Sequence, residues 1–304
     1  WTDGPILQQW NESTEPSYKA TAPSSPVPRV LASRQKSPGT IVAYGATLFF
    51  AVNGAIMQMP KTGGTAIPVI LGVRPRDLRV DGSDVYWAEG DKVRRAYKDG
   101  GNALTIASKQ KGPREITIHG NHVYWIDAGS DDSQEPTIRR AMRDGTEPKT
   151  LASVGDAHGL VANSTGVYWA NTRVGAIMRL APNTDTPTVI VSGLKAPVDI
   201  AVDETHVYWV EDDGLFRVEL SGGVPQNLSQ TRGRRLALTQ SHVYFIAGDG
   251  TNPVGDALMR VPKQGGHLGI IISEGASDLA IDEMSVYWTR QTGEGEGSIL
   301  TVPR

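Results

Sequence analysis

THVYWVEDD, residues 205–213, is the stretch on which the reading of the fold turns, because its centre recurs along the whole chain. The phrase stands at Val85-Tyr86-Trp87, Val123-Tyr124-Trp125, Val167-Tyr168-Trp169, Val207-Tyr208-Trp209, Val243-Tyr244-Phe245 and Val286-Tyr287-Trp288. Leu48-Phe49-Phe50 fits as an earlier, seventh copy. From Phe49 through the successive tyrosines the spacings are 37, 38, 44, 40, 36 and 43 residues. A period near 40 built from short β-type segments is the signature of a propeller blade.

Each unit divides into four short runs. The first, as in Pro197-Val-Asp-Ile-Ala-Val-Asp203, is apolar at alternate positions, as a half-buried strand requires. A turn headed by Asp or Asn follows, such as Asp203-Glu-Thr-His206, where the side chain can bond its own backbone. The Val-Tyr-Trp phrase is the second run. The third, Lys92–Tyr97 or Ala257–Val261, ends in Lys98-Asp-Gly-Gly101 or Lys263-Gln-Gly-Gly266, which suits a hairpin. Asn102–Ser108 and Glu147–Ser153 typify the fourth.

The last unit stops after its third run, Ile299–Val302, one strand short. The missing run stands at the other end of the chain, as Val27-Pro-Arg-Val-Leu-Ala-Ser33. The expectation is therefore an all-β, seven-bladed β-propeller of four antiparallel strands per blade. Its ring closes when the N-terminal strand, about 27–33, joins the C-terminal blade and covers an exposed sheet edge. A blade cannot bury both faces alone, so each repeats the apolar phrase that its neighbours pack against. Val and Trp of the phrase point to one face and Tyr to the other.

Of the 304 residues, 39% are apolar and 21% charged, which describes a folded globular chain. Residues 1–26, rich in Pro, Ser and Thr, read as an N-terminal tail or linker ahead of a propeller domain at 27–304. Trp1 and Trp10 are the apolar residues that would pin this tail to a domain. A net charge of −3 gives no general pull toward nucleic acid, so no such partner is expected and any basic site must be local. No apolar run reaches the roughly 18 residues that span a bilayer. With no cysteine, thiolate metal sites are excluded.

The stretches PVDIAVDETHVYWVED, VYWAEGDKVRRAYKDGGNALTIAS and VYWIDAGSDDSQEPTIRRAMRDGTEPKTLAS resemble the YWTD repeat of lipoprotein-receptor ectodomains, and are similar to bacterial NHL-type propeller repeats. The likeness covers most of residues 27–304. It implies the blade architecture, an extracytoplasmic setting (secreted, periplasmic or cell-surface) and a habit of docking ligands. The departures are plain. The YWTD type has six blades, and the acid after its tryptophan survives as Asp127 but is Glu89, Asn171, Glu211 and Arg290 elsewhere.

In a propeller the connectors from fourth to first strand share one face with the loops from second to third strand. Those connectors carry Arg34, Lys36, Arg74, Arg76, Lys109, Lys111, Arg114, Lys195, Arg232, Arg234 and Arg235. The loops are acidic, with Glu89, Asp127, Asp131, Asp132, Glu135, Glu211, Asp212, Asp213, Asp249, Glu294 and Glu296. A basic annulus at the channel mouth inside an acidic rim is expected, and it would focus potential on an anion. The candidate ligand-binding residues are Arg74, Arg76, Lys109, Lys111, Arg114, His158, Arg232, Arg234 and Arg235. The opposing possibility is that these cations pair with the rim and with acids at the strand heads.

Asp77, Glu115, Asp199 and Asp278 occupy one repeat position, filled otherwise by Thr40, Gly159 and Arg235. Converging, they would hold calcium or magnesium; lying apart, they would cap backbone N–H groups or pair with arginine. Arg95, Arg140, Arg179, Arg217 and Arg260 recur on third strands and read as clamps between blades. His158 is the histidine placed near the basic mouth, and no Ser-His-Asp pattern accompanies it. The functional expectation is a non-catalytic recognition propeller, without a cofactor, that binds a protein or an anionic glycan or peptide. The longest loops, 126–135, 246–255 and 289–296, are the expected contact sites. The alternative is a propeller enzyme, a lactonase, lyase or hydrolase, using a channel metal.

Overall fold

The computed structural model describes residues 27–129, 135–248, 256–273, 275–292 and 295–304. The leader 1–26, with Trp1 and Trp10, and the central parts of the three long loops lie outside the described residues. Twenty-eight strands form seven four-stranded sheets, every neighbouring pair antiparallel. The blades span 41–73, 77–107, 113–153, 157–192, 199–229, 233–272 and 278–303, numbered one to seven. The chain is a seven-bladed β-propeller, as the spacing of the aromatic phrase requires.

The seventh blade is completed from the other end of the chain. Its order places Arg29–Lys36 outermost, beside Glu296–Pro303, with Arg29 opposite Thr301 and Lys36 opposite Glu296. The strand begins after Pro28, which has no N–H for the ladder. It runs three residues past Ser33 because Glu296–Pro303 is eight residues long and offers partners as far as Lys36.

Packing follows the alternation of the phrase. Tyr124 of blade three sits in one apolar cluster with Val167 and Trp169 of blade four. The same tyrosine-to-tryptophan junction recurs from blade two to three, four to five and six to seven, and from Tyr287 back to Leu48 and Phe50 of blade one. Because both faces of a blade meet neighbours, second strands are buried on both sides; every residue of Gly166–Asn171 is buried. Trp87, Trp125, Trp169, Trp209 and Trp288 are at most 1% exposed. They are core residues, each worth roughly 1.5–3 kcal/mol or more of burial, and none offers a sugar-stacking face.

The inner strands carry an irregularity that counting residues cannot reveal. In blades two, five and seven, Asp77, Asp199 and Asp278 stand opposite Ala88, Val210 and Thr289. In blades three, four and six the equivalent ladder partners are Arg114, His158 and Arg234. Glu115, Gly159 and Arg235 are then the extra residues of a β-bulge, with φ of 53°, 63° and 55°. The single repeat position expected from the sequence is therefore two positions, and the bulges bring two successive side chains to the channel in blades three and six, where blade four has His158 and a glycine.

Candidate functional site

The inner strands enclose a channel of about 760 Å³. Its acids reach across blade junctions. Oδ2 of Asp77 accepts the N–H of Ile116 at 2.6 Å, Glu115 Oε2 that of Leu160 at 3.1 Å, and Asp278 Oδ2 that of Ile41 at 3.0 Å. Asp199 does the same to Leu236 of blade six. Where the preceding blade carries Thr40 or Gly159, the next blade caps itself: Leu78 donates to Asp77 Oδ1 and Ile200 to Asp199 Oδ1. Gly159 could not be replaced lightly, since a Cβ there would lie 2.4 Å from the Ile200 nitrogen. The strand-head acids thus join blades. Among the described residues no group of three or more His, Cys, Asp or Glu is placed to hold a metal.

Arg235 stands among these acids, its Nε 3.5 Å from Asp278 Oδ1. Asp278 first, then Asp199, Asp77 and Glu115, raise its already high pKa further. Burial pushes the Asp199 carboxyl up to about 6 and raises that of Asp77. Glu115 is also desolvated, yet its hydrogen bond to His158 and the charge of Arg114 hold it below the usual range. His158 has a carboxylate at each ring nitrogen, Glu115 Oε1 at 3.5 Å from Nδ1 and Asp156 Oδ1 at 3.0 Å from Nε2. Its pKa rises, chiefly through Glu115. An imidazole so flanked has no free nitrogen with which to take a substrate proton, so the geometry assigns it to the junction between blades three and four.

On the loop-bearing face the acid of the repeated phrase turns inward. Glu89 accepts the backbone N–H of Arg74 at 3.2 Å, Asp127 that of Lys111 at 2.6 Å, and Glu211 that of Lys195 at 3.1 Å. Each carboxylate anchors the connector of its own blade. Of the candidate cations, Arg232 pairs with Asp212 at 3.1 Å, Arg234 with Asp256 at 2.8 Å, and Arg114 with Glu115 at 3.1 Å. Lys195 likewise meets Asp213 at 2.6 Å. On blades five and six the expected annulus is therefore neutralised. Arg74, Arg76, Lys109 and Lys111, with Arg34 and Lys36, are exposed, and their charged side-chain groups meet no carboxylate within 4.0 Å among the described residues. Arg34 and Lys36 end the closing strand that leads into blade one, and the other four lie on the connectors that enter blades two and three. Asp131, Asp132, Asp249 and Glu294 of the expected rim lie outside the described residues.

The opposite face holds clamps that residue counting passed over. Lys61 reaches Asp282 of blade seven and Lys263 reaches Asp203 of blade five, each at 2.7 Å, and Arg143 pairs with Asp81 of blade two. Each cation also lies over a tyrosine of the preceding blade: Lys61 over Tyr287, Lys263 over Tyr208 and Arg143 over Tyr86, 5.4–5.9 Å from the ring centres. The signal was present, since the glycine-bearing turns Lys61-Thr-Gly-Gly, Arg143-Asp-Gly and Lys263-Gln-Gly-Gly all open on a cation. The third-strand arginines are structural, but mostly within a blade. Arg95 pairs with Asp84 at 3.4 Å and Arg179 donates to the Thr165 carbonyl, whereas Arg217 crosses to Gln264 of blade six at 2.9 Å.

These features define a β-propeller with YWTD-like repeats. No known family's sequence profile matches the chain. A protein of Pyricularia oryzae named low-density lipoprotein receptor-related protein 1 is 26% identical over 204 residues, 52% of this chain and 64% of that protein. The chain thus spans less than two thirds of that relative's length. Among solved structures, a nidogen/laminin complex matches with a TM-score of 0.52 at 19% identity, covering 62% of this chain and 77% of that one. A puromycin-hydrolyzing peptidase of Mycobacterium tuberculosis matches with a TM-score of 0.69 at 13% identity, over 88% of this chain and 50% of the peptidase. At these identities both structures attest the fold alone.

Proposed function

We propose that this propeller is a recognition module that docks a protein or an anionic ligand on its loop-bearing face. The observation that carries the reading is an asymmetry between the faces. On the turn face Lys61, Arg143 and Lys263 are consumed by clamps between blades, while on the loop face six exposed cations face solvent with no carboxylate partner among the described residues. Unspent charge beside a concave, low-dielectric mouth attracts opposite charge and steers encounter. The name of the fungal relative and the laminin complex of the structural neighbour agree with a protein partner and with an extracytoplasmic place of work: secreted, periplasmic or surface-held. No helix among the described residues is long and apolar enough to cross a membrane.

A lactonase, lyase or hydrolase working through a channel metal finds less support. Asp77, Glu115, Asp199 and Asp278 each spend an oxygen on a backbone N–H of a neighbouring blade. Recruiting them to a cation would open four junctions. The test is capture of partners by immobilised protein from an extracellular protein fraction, together with a glycan array. Wild type is compared with Arg76→Glu/Lys111→Glu on the loop face and Met284→Ser on the turn face. Retention lost in the first variant and kept in the second is expected; retention unchanged in both overturns the reading.

A further inference from the structure

We propose that the connectors entering blades one, two and three form a docking track for an acidic polypeptide segment. This deepens the reading above and rests on it. The first ground is the separation, among the described residues, of cations whose side chains have a carboxylate partner from those whose side chains have none. Equivalent connectors at blades five and six hold Lys195, Arg232 and Arg234 against Asp213, Asp212 and Asp256. The approaches to blades one, two and three each carry a pair of cations one residue apart in spacing: Arg34 and Lys36, Arg74 and Arg76, Lys109 and Lys111. Like charges so close repel one another unless an anion lies between them.

Backbone conformation supplies a second, independent ground. Arg34, Lys109 and Gly193 follow the serine, serine and serine that end Val-Leu-Ala-Ser33, Thr-Ile-Ala-Ser108 and Val-Ile-Val-Ser192, so they occupy one repeat position. All three are left-handed, with φ of 55°, 57° and 79°. Glycine adopts that conformation without steric cost; blade four uses it, and so does the approach to blade two, at Gly72 with φ of 76°. At the other two track positions the chain holds an arginine and a lysine instead. Strained residues persist where the side chain is needed, and what these two side chains offer is exposed positive charge.

The surroundings select the polymer. Glu89, Asp91 and Asp127 bond the N–H groups of Arg74, Lys109 and Lys111, so a fixed carboxylate stands beside the cations of two of the connectors. A glycan charged at every sugar would be forced against these carboxylates. A polypeptide with acids separated by uncharged residues passes them, meeting Arg forks at Arg34, Arg74 and Arg76 and lysine charges at Lys109 and Lys111. Leu71, 72% exposed on the strand leading to Arg74, adds an apolar contact that a peptide side chain can use and a sulfated sugar cannot.

The experiment measures fluorescence anisotropy of a labelled peptide of repeated Glu-Gly-Leu triplets at two salt concentrations. A heparin oligosaccharide of equal charge is the competitor. Arg34→Gly/Lys109→Gly is expected to weaken peptide binding at least about tenfold and flatten its salt dependence, while the melting temperature holds or rises because the strain is relieved. Lys195→Ser/Arg232→Ser, on the neutralised side, should leave binding unchanged. Heparin binding tighter than the peptide overturns the polypeptide assignment but leaves loop-face docking intact. Peptide binding that survives the glycine pair, or falls equally in the control pair, overturns the track itself. So does the absence of peptide binding, whatever partner the capture experiment retains.

Discussion

Oδ2 of Asp199, on the inner strand of blade five, lies 2.8 Å from the backbone nitrogen of Leu236 in blade six. Its other oxygen receives the N–H of Ile200 at 2.9 Å. One carboxylate therefore ties two blades together at the hub, in a site dry enough to push its pKa up to about 6 despite Arg235 nearby. The bonds favour the ion and the desolvation opposes it; desolvation prevails.

This gives a signed dependence on pH. In the unfolded chain Asp199 ionises near 3.8, and in the folded one near 6. Between those values the folded state binds more protons, so stability falls as pH rises through the window and levels off above it. Asp199→Asn cannot titrate. Urea midpoints from pH 4 to 7 should show wild type losing on the order of 1–3 kcal/mol relative to the variant's own trend. Parallel curves would mean that Asp199 is not desolvated.

Lys263 and Asp203 give the opposite sign. Burial would raise the Asp203 carboxyl, but Lys263 and the N–H groups of Thr205 and His206 hold it well below the usual range. Its contribution is present above about pH 4 and is lost as pH falls below that. Lys263→Met removes the 2.7 Å ion pair and the cation over Tyr208. A loss of about 1–2 kcal/mol at pH 7 is expected, from a partly buried pair plus a cation–π contact. The gap between wild type and variant should start to narrow as pH falls below about 4 and keep narrowing at still lower pH in chemical denaturation.

How much of this was legible beforehand depends on the kind of signal. Aromatic spacing counts blades, because each junction needs its own Tyr and Trp, and the matching of Val27–Ser33 to other fourth strands located the closure. The bulges at Glu115, Gly159 and Arg235 were invisible. A bulge inserts a residue in the ladder without altering the count back from the tryptophan, so Arg114 and Asp77 looked inequivalent although each stands opposite the residue that follows its own blade's tryptophan. Pairing of charges was equally hidden. Nothing local distinguishes Arg232, whose guanidinium meets Asp212, from Arg74, whose guanidinium meets no acid among the described residues; only the placement of neighbouring loops decides.

Closure of the ring makes a separable claim about the N-terminus. Leu31, 8% exposed, packs with Ile41, Phe50 and Ile299, so the strand Arg29–Lys36 joins blade seven to blade one. A chain starting at residue 37 loses this core residue and exposes the edge of Glu296–Pro303. Its melting temperature should drop by roughly 10 °C or more, with a tendency to associate through the open edge. A chain starting at residue 27 should melt with wild type. Calorimetry and light scattering on both truncations check the assignment, and equal melting of the shorter chain would refute it.

Leu300 offers a test in the stabilising direction. The third-strand residue opposite the phrase's last aromatic is Met57, Arg94, Arg139, Met178, Phe216 and Met259 in blades one to six, all long side chains, and Arg94, Arg139 and Phe216 lie over the ring. In blade seven it is Leu300, opposite Trp288, and there a cleft of about 420 Å³ opens between Trp288, Leu300, Pro28 and Ile270–Ile272. Unfilled space beside an aromatic forfeits dispersion contacts on that side. Leu300→Met extends an unbranched side chain into the cleft, as three other blades already do, and should gain about 0.5–1 kcal/mol. Leu300→Ala enlarges the void and should cost about 2–4 kcal/mol. Thermal melts of the two variants must move in opposite directions; a methionine that also destabilises would show that the rigid packing of blade six against blade seven, and not missing volume, sets the shape of this junction.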